Sequence, residues 1–382
     1  MNRAGSQKCK MMDKKSSFIQ SRLLSLDTLR GFDMFWIIGG EELVHALSKL
    51  YPNYFWSQFS KQLEHPYWNG FTFYDLIFPL FIFLAGVSTP FSIGKALNDG
   101  KSKKEILLKV LKRGLILILL GIVYNNGLQI KPIDDIRFMS VLGRIGIAYV
   151  FANITFLYVK ETFLIYWFAG LIVAYWLILK FTSAPGFPAG DLSMEGNFAS
   201  FFDRNVLPGK LSRGIHDTVG LFNNIPAISN ALAGIITGIF LQKQKITPTK
   251  KALYMALAGL LAVIIAQIWN LDFPINKNLW SSSFVMQTVG LSLLLFALFY
   301  YVIDVLKYTR WTLFFQVIGM NSILIYISGK FIDWEFTADA FFKWLGQLTG
   351  EPYSILVIAI VLVLIKWLFL KFLYDKKVFL RV

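Results

Sequence analysis

The sequence predicts an all-α membrane protein, a single polytopic bundle of about ten transmembrane helices, and three observations support that fold class. Of the 382 residues, 55% are hydrophobic and 16% are aromatic, and the mean hydropathy is +0.55. These values are too apolar for a soluble domain with one buried core. Apolar stretches long enough to cross ~30 Å of hydrocarbon recur along nearly the whole chain. The basic residues behind the net charge of +15 are concentrated between those stretches, where they set membrane orientation rather than bind nucleic acid.

Ten candidate spans follow one another when windows of ~19 residues are compared along the chain. They lie at about 28–47, 72–94, 106–124, 141–159, 162–181, 223–241, 252–271, 283–303, 313–332 and 353–374. The chain therefore divides into a basic leader at 1–27, one transmembrane domain at 28–374 and a short tail at 375–382.

Basic loops alternate with loops that are poorer in Lys and Arg. The basic segments are the leader, 95–113, 242–251 and the tail. Because Lys and Arg favour the cytoplasmic side of a membrane, both termini are predicted to be cytoplasmic. The longest loop, 182–222, then lies on the outer face, and the sequence leaves open whether it shapes a substrate site or is merely solvated.

The leader and the cysteine content restrict the remaining possibilities. Cys9 is the only cysteine, so no disulfide or cysteine-based metal site is expected within one chain. The leader lacks the apolar stretch and the small-residue cleavage site of a signal peptide, and we expect it to remain in the mature protein.

Several ionisable residues fall inside or near the predicted spans. Glu41, Glu42, Asp75 and Arg144 are the main ones, and a charge at bilayer depth costs at least ~2.5 kcal/mol on insertion scales. We therefore expect Glu41, Asp75 and Arg144 to line a cavity or to form an internal ion pair. For the neutral polar residues, hydrogen bonding between helices is the more common role; these are Asn153, Asn230, Gln267, Gln287 and Asn321.

His65 is one of three histidines, with His45 and His216. A lone histidine is more often structural than catalytic, but His65 precedes an aromatic and polar patch at a span entrance, where a neutral imidazole can take a proton from an incoming substrate. The spacing of the histidines disfavours a metal site. No G-x-S-x-G motif supports a Ser–His–Asp triad.

Five motifs in one order resemble a known family. The stretches are RLLSLDTLRGFDMF, HPYWNGFTFYDLIFPLFIFLAGVS, SVLGRIGIAYV, INKNLWSSSFV and GMNSILIY. Together they are similar to the transmembrane acetyltransferases typified by heparan-alpha-glucosaminide N-acetyltransferase, over some 350 residues. The resemblance implies an enzyme that uses cytoplasmic acetyl-CoA to acetylate a sugar on the other side of the membrane, with the histidine of the H-x-x-W-x-G element, His65 here, in the active site.

The resemblance and the residue chemistry together name the candidate site residues. His65 is the catalytic candidate, as a general base or as a nucleophile that forms an acetyl-imidazole. The substrate-binding candidates are Trp68, Asn69, Asp75, Glu41, Lys277, Asn278, Asn321 and Ser322. Among them, Trp68 and Asn69 are expected to bind the sugar, Asp75 to orient the imidazole or bind the acceptor, and Asn278 and Asn321 to stabilise an oxyanion.

Basic residues are the candidates for holding the phosphates of acetyl-CoA. They are Arg30, Lys109, Lys112, Arg113 and Arg144. Anchoring of the spans by the positive-inside rule remains the alternative for each of them. Acetyl-CoA is the expected donor, with no metal. The expected setting is a bacterial inner membrane, and a homodimer is the expected form of any assembly.

Two departures from the family pattern bear on the acceptor. The first span reads WIIGGEELVHAL where relatives commonly have an Asn, and HDTVG places Val219 where a Glu is common. The acceptor and the choice between N- and O-acetylation therefore stay open. Two other function classes also remain: a multi-pass transporter of a sugar or lipid-linked sugar, and a non-catalytic membrane scaffold.

Overall fold

The computed structural model describes residues 23–380, and every regular element in that part of the chain is helical. Residues 1–22, with Cys9 and most of the predicted leader, lie outside the described residues, as do the last two residues of the tail. In chain order the α-helices are α1 Leu24–Phe35, α2 Glu41–Leu50, α3 Tyr54–Gln62, α4 Ile77–Thr89, α5 Lys95–Asn98, α6 Lys103–Asn126, α7 Val141–Tyr158, α8 Leu164–Phe181, α9 Phe198–Val206, α10 Asn224–Gln242, α11 Pro248–Trp269, α12 Ser282–Phe299, α13 Thr312–Met320, α14 Ser322–Phe331, α15 Trp334–Thr349 and α16 Tyr353–Asp375.

The all-α membrane architecture predicted from the sequence is confirmed. Within residues 23–380, seven helices are long and apolar enough to cross a membrane, and the bent pair α13 and α14 makes an eighth if it counts as one span. These helices coincide with eight of the ten predicted spans. The other two, 28–47 and 106–124, coincide with the α1–α2 run and with α6. Both carry several charged residues, so the count of ten and the cytoplasmic termini stay predictions.

Two predicted spans are interrupted, which the hydropathy pattern does not reveal. Between α1 and α2 the chain forms a π-helical turn, Trp36–Gly40, in which Gly39 has a φ of 150°. This conformation favours glycine, since it has no Cβ. Between α13 and α14 the helix axis bends by 65° at Asn321. Such breaks leave backbone groups free for other partners, as where Lys366 donates to the carbonyl of Ile38 at 2.8 Å.

Three segments predicted as loops contain helices of their own. They are α3, α9 and α15. The loop 182–222 is therefore not irregular throughout, since it contains α9. Asn197 caps the start of that helix by accepting a hydrogen bond from the backbone N–H of Ser200.

Helix α4 lies at the centre of the bundle and packs most closely on α10. A Cβ at Gly86 would stand 2.1 Å from the carbonyl oxygen of Ala231, and one at Gly234 would stand 2.0 Å from that of Phe83. The two backbones can approach this closely only because both positions are glycine.

Neutral polar residues join the helices, as expected from the sequence. Thr89 donates to Asn153 at 3.0 Å, Gln267 donates to Gln287 at 2.9 Å, and Asn230 donates to Thr288 at 3.0 Å. Each bond lies between different helices, so the prediction of interhelical hydrogen bonding is confirmed for these residues.

Candidate active site

The segment before α4 is fixed by a capping arrangement centred on Asp75. A 3₁₀ turn, Phe73–Leu76, precedes the helix, and Oδ2 of Asp75 accepts hydrogen bonds from the backbone N–H and the hydroxyl of Thr72 at 3.1 and 3.3 Å. Asp75 is fully buried. Its other oxygen, Oδ1, does not bond within the turn and can accept a hydrogen bond from a residue outside it.

That partner is His65. The Nδ1 atom of His65 lies 2.7 Å from Oδ1 of Asp75, and the His65 side chain is 47% exposed. An ionised carboxylate only accepts, so Nδ1 carries the proton and donates a hydrogen bond to Oδ1 of Asp75. In the neutral imidazole the lone pair then lies on Nε2, the atom that can act as a base.

Lys277 completes a three-residue contact group with His65 and Asp75. Its Nζ lies 3.3 Å from Oδ1 of Asp75 and 3.2 and 3.1 Å from Nδ1 and Nε2 of His65. Nζ is thus nearly equidistant from the two ring nitrogens. A position at these distances within the ring plane would overlap ring atoms, so the ammonium lies over the face of the imidazole. Burial lowers the pKa of Lys277, and the Asp75 carboxylate opposes that shift.

A second segment, residues 273–281, carries Lys277 and is bonded to the segment that carries His65. The backbone N–H of Gly70 donates to the carbonyl of Ile275 at 2.9 Å, and the amide of Asn276 donates to Asn69 at 2.9 Å. The amide of Asn278 lies 3.4 Å from the carbonyl oxygen of Tyr67. The predicted residues Asn69, Asn278 and Lys277 are thus brought together with His65, although they come from two distant parts of the sequence.

The aromatic residues beside His65 make contacts that the sequence did not predict. The indole N–H of Trp68 donates to the carbonyl of Leu192 at 2.9 Å, and its ring meets His216 edge-on at 5.0 Å. The Trp68 side chain therefore holds the loop 182–222 against the site. Tyr67, which the sequence did not single out for a sugar, is 80% exposed, and the guanidinium of Arg213 lies over its ring at 5.4 Å.

Glu41 reaches the group through Tyr74. The rings of His65 and Tyr74 are 4.9 Å apart, and the Glu41 carboxylate lies close to the Tyr74 hydroxyl. Glu41 also lies 3.5 Å from His45. The structure therefore places this predicted substrate residue near His65, with an aromatic ring between them.

Arg144 is fully buried at the same end of the bundle as His65. Its guanidinium stacks over Trp280 at 4.4 Å, lies 5.7 Å from the ring of Phe78 and donates to the amide oxygen of Asn223. Sequence reasoning grouped Arg144 with the phosphate-binding candidates. The structure instead encloses it among residues next to the 273–281 segment, so a phosphate contact would require these side chains to move.

The other basic candidates lie towards the opposite end of the bundle. Arg30 donates to the hydroxyl of Ser88 at 3.1 Å, and Arg113 lies over the ring of Tyr149 at 4.6 Å. Lys109 and Lys112 are exposed on α6. At 1.5 Å of rise per residue, the helix from Asp75 to Ser88 is ~20 Å long, which is most of the hydrocarbon thickness.

One face of α4 connects these two ends. Of its 13 residues nine are buried, and the other four recur at intervals of three and four residues, as residues on one helix face do. Half-buried Tyr74 and exposed Ser92 continue the series. We call this set the α4 stripe: Tyr74, Phe78, Phe81, Ala85, Ser88 and Ser92.

The α4 stripe faces neighbouring helices rather than lipid. Phe78 contacts the fully buried Trp280 at 5.0 Å, and Ser88 holds the guanidinium of Arg30. A guanidinium facing lipid at bilayer depth would be costly. Phe81 packs against both of the two largest hydrophobic clusters, which places it at the seam between them.

The predicted residues Asn321 and Ser322 lie elsewhere. Asn321 stands at the break between α13 and α14, where its amide donates to the carbonyl of Val378 at 3.0 Å and its oxygen accepts from the N–H of Leu380 at 3.0 Å. Ser322 is buried beside it. Both polar atoms of the Asn321 side chain are engaged with the tail, and its expected role at an oxyanion stays a prediction.

The loop 182–222 adds a buried polar cluster that sequence reasoning missed. The hydroxyl of Ser200 lies 2.7 Å from Nδ1 of His216, and Arg137 pairs with Asp217 at 3.2 Å. Burial lowers the pKa of His216 to about 4 and raises that of Asp203 to about 6. Only the unusual length of the loop signalled that it could be ordered against the site.

Within residues 23–380, no group of three His, Cys, Asp or Glu side chains is placed to hold a metal ion.

Comparison with known proteins agrees with the motifs. The family model described as heparan-alpha-glucosaminide N-acetyltransferase, catalytic, matches residues 22–267. The heparan-alpha-glucosaminide N-acetyltransferase of Mus musculus is 28% identical over 375 residues, which cover 84% of this chain and 56% of that protein. For the Homo sapiens protein of the same name the identity is 28% over 429 residues, covering 96% and 61%. The chain thus spans less than two thirds of the length of these relatives, and Lys277 lies beyond the residues matched by the family model.

Proposed function

Because this chain belongs to the heparan-alpha-glucosaminide N-acetyltransferase family, we propose that it is a transmembrane acetyltransferase that moves an acetyl group from acetyl-CoA to an amino sugar or glycan. The observation that carries the proposal is the contact group of His65, Asp75 and Lys277, in which a half-exposed imidazole is oriented by a buried carboxylate.

His65 acts as the general base in this proposal. Nδ1–H is held by Asp75 at 2.7 Å, which leaves the lone pair of Nε2 free to take a proton from the acceptor amine as its nitrogen attacks the thioester carbonyl. The C–N bond forms, the C–S bond breaks, and the imidazolium returns the proton to the departing thiolate. Proton transfer of this kind typically contributes ~10²–10⁴ in rate.

Lys277 supplies the positive charge next to the reacting atoms. Its ammonium stands over the His65 ring, 3.1 Å from Nε2, so a carbonyl attacked beside Nε2 develops its negative charge close to Nζ. Fixed positive charge at the position of a developing oxyanion is among the largest contributions to catalysis.

The donor and the acceptor approach from opposite ends of the bundle. The nucleotide of acetyl-CoA is anionic and stays near the end that holds Arg30, Lys109, Lys112 and Arg113, where charge-assisted hydrogen bonds can form. The thin pantetheine arm extends along the α4 stripe towards His65. The acceptor enters at the exposed face of His65, on the extracytoplasmic side, beside Asn69 and Tyr67. A bacterial inner membrane remains the expected location, and a homodimer remains an expectation.

The test is acetyl transfer by the purified protein. The enzyme is incubated with acetyl-CoA and a panel of amino sugars and glycans, and mass spectrometry follows both products. We expect a gain of one acetyl group on one acceptor class, with an equal amount of free CoA, and a loss of at least ~10² in rate for His65→Ala. The variant should keep its melting temperature and its binding of CoA.

Two other results would contradict the proposal. Full activity in His65→Ala would remove the histidine from the mechanism. Movement of an unmodified sugar into sealed vesicles, with no free CoA produced in the presence of any acceptor, would identify a transporter instead.

A further inference from the structure

Asp33 and Trp36 each carry a buried polar atom that has no hydrogen-bond partner among the described residues. Asp33 is 2% exposed, and neither its Oδ2 nor the indole Nε1 of Trp36 is bonded. A buried donor or acceptor left unpaired costs about 1–3 kcal/mol, and such atoms are rare in folded proteins. Eleven such atoms occur among the described residues, and these two lie within one turn of the same helical segment, so that one ligand group could bond both of them.

The neighbours of these residues place both atoms beside the α4 stripe. Arg30, three residues before Asp33, donates to Ser88 in the stripe. Trp36, three residues after Asp33, meets the ring of Phe73 at 5.4 Å, next to the start of α4. Residues three apart on a helix share a face. Asp33 therefore lies on the face of α1 that is turned towards α4, between the levels of Phe73 and Ser88.

The chemistry of the pair matches an amide. Oδ2 of Asp33 can only accept while the carboxyl is ionised, and Nε1 of Trp36 can only donate. One helical turn, ~5 Å, separates their backbone positions. An amide group presents one donor and one acceptor, and the pantetheine arm of CoA contains two amides between its nucleotide and its sulfur.

We propose that Asp33 and Trp36 are positioning residues for the donor: Asp33 accepts a hydrogen bond from an amide N–H of the pantetheine arm, and Trp36 donates one to an amide carbonyl. This assignment rests on the proposed function, because it takes acetyl-CoA as the donor. The assignment explains why Oδ2 of Asp33 and Nε1 of Trp36 have no hydrogen-bond partner among the described residues. Their contacts hold the arm extended, so that the thioester reaches His65.

Binding separates this role from a structural one. Asp33→Leu and Trp36→Phe remove the unpaired atoms and keep the side-chain bulk, and affinities are measured by calorimetry for acetyl-CoA and for adenosine 3′,5′-bisphosphate, which lacks the arm. We expect acetyl-CoA to bind about tenfold more weakly to Asp33→Leu and about fivefold more weakly to Trp36→Phe, as for the loss of one buried hydrogen bond. Asp33→Asn, which keeps an acceptor oxygen, should recover part of the loss.

The bisphosphate should bind all three variants as it binds the wild type. Matched controls are Asp339→Asn and Trp167→Phe, both at exposed positions, which should change neither affinity. The melting temperature of the unliganded variants should stay equal or rise, because an unsatisfied buried atom is removed, while the rise produced by acetyl-CoA should shrink.

The outcomes distinguish the two proposals. Wild-type affinity for acetyl-CoA in both Asp33→Leu and Trp36→Phe, or an equal loss of affinity for the bisphosphate, would overturn the assignment while leaving the acetyltransferase proposal intact. A wild-type protein that binds neither acetyl-CoA nor CoA would overturn the donor itself, and that result is visible without any variant.

Discussion

The ammonium of Lys277 and the carboxylate of Asp75 lie 3.3 Å apart, with Asp75 fully buried and the Lys277 side chain 23% exposed. His65 contacts both of them. Oδ1 of Asp75 therefore contacts both groups. The charge of Asp75 affects the orientation of the His65 imidazole and the position of the Lys277 ammonium.

Replacing Asp75 should impair catalysis more than folding. Asp75→Asn keeps the shape and still offers an oxygen to Nδ1–H of His65, but it leaves the Lys277 ammonium without its counter-ion. We expect kcat to fall at least about tenfold, since the base is no longer held beside a fixed negative charge. Asp272→Asn is the control, because Asp272 pairs with Lys180 at an exposed site. Equal kcat in both variants would show that the charge of Asp75 is not needed.

Replacing Lys277 should lower kcat with little effect on donor binding. Lys277→Met keeps the length of the side chain and removes the charge, and the loss of one oxyanion-stabilising group typically costs about 10²–10³ in kcat. Lys277→Arg should retain part of the activity, because a cation remains near the ring. Steady-state kinetics with saturating acetyl-CoA measure this. A Met variant with unchanged kcat would restrict Lys277 to a structural role.

Tyr67 and Trp68 should differ in what their replacement affects. Tyr67 is 80% exposed beside His65, so Tyr67→Ala should raise the KM for the acceptor several-fold and leave the melting temperature unchanged. Trp68→Phe removes the indole donor to Leu192 and should cost about 1 kcal/mol of stability. Kinetics and thermal unfolding measure both variants. A Trp68→Phe protein with wild-type stability and weak acceptor binding would restore Trp68 as the sugar contact.

The loop 182–222 should weaken in acid because of His216. Burial lowers its pKa to about 4 from an ordinary 6.5, so its contribution to stability is fully present above pH 6.5 and is lost as the pH falls through about 4. The shift corresponds to about 3 kcal/mol. Asp203 acts in the opposite direction: its pKa is raised to about 6, so its contribution is present below its ordinary value of 3.8 and is lost as the pH rises through 6.

The measurement is therefore a difference between variants. Melting temperatures from pH 7 to pH 4 should fall less steeply in His216→Asn than in the wild type, and more steeply in Asp203→Asn. Parallel curves for the wild type and His216→Asn would contradict the assignment of the acid sensitivity to His216.

The sequence by itself determined the membrane bundle, and its family motifs singled out His65. The length of an apolar stretch identifies a span, because every helix must cross the same hydrocarbon thickness. His65, Asp75 and Thr72 are close in the chain, so that one capping turn fixes their relative positions. The breaks at Gly39 and Asn321 were not predictable from hydropathy, since an interrupted span has the same composition as a continuous one.

Only the tertiary structure decided which distant groups meet His65. Lys277 arrives through hydrogen bonds between two loops, Trp68 turns away to hold the loop 182–222, and Asn321 is taken up by the tail. The α4 stripe depends on how the neighbouring helices pack around α4. Whether Asp33 and Trp36 have hydrogen-bond partners among the described residues depends on packing in the same way. These are properties of packing between segments far apart in the chain, which local sequence patterns do not encode.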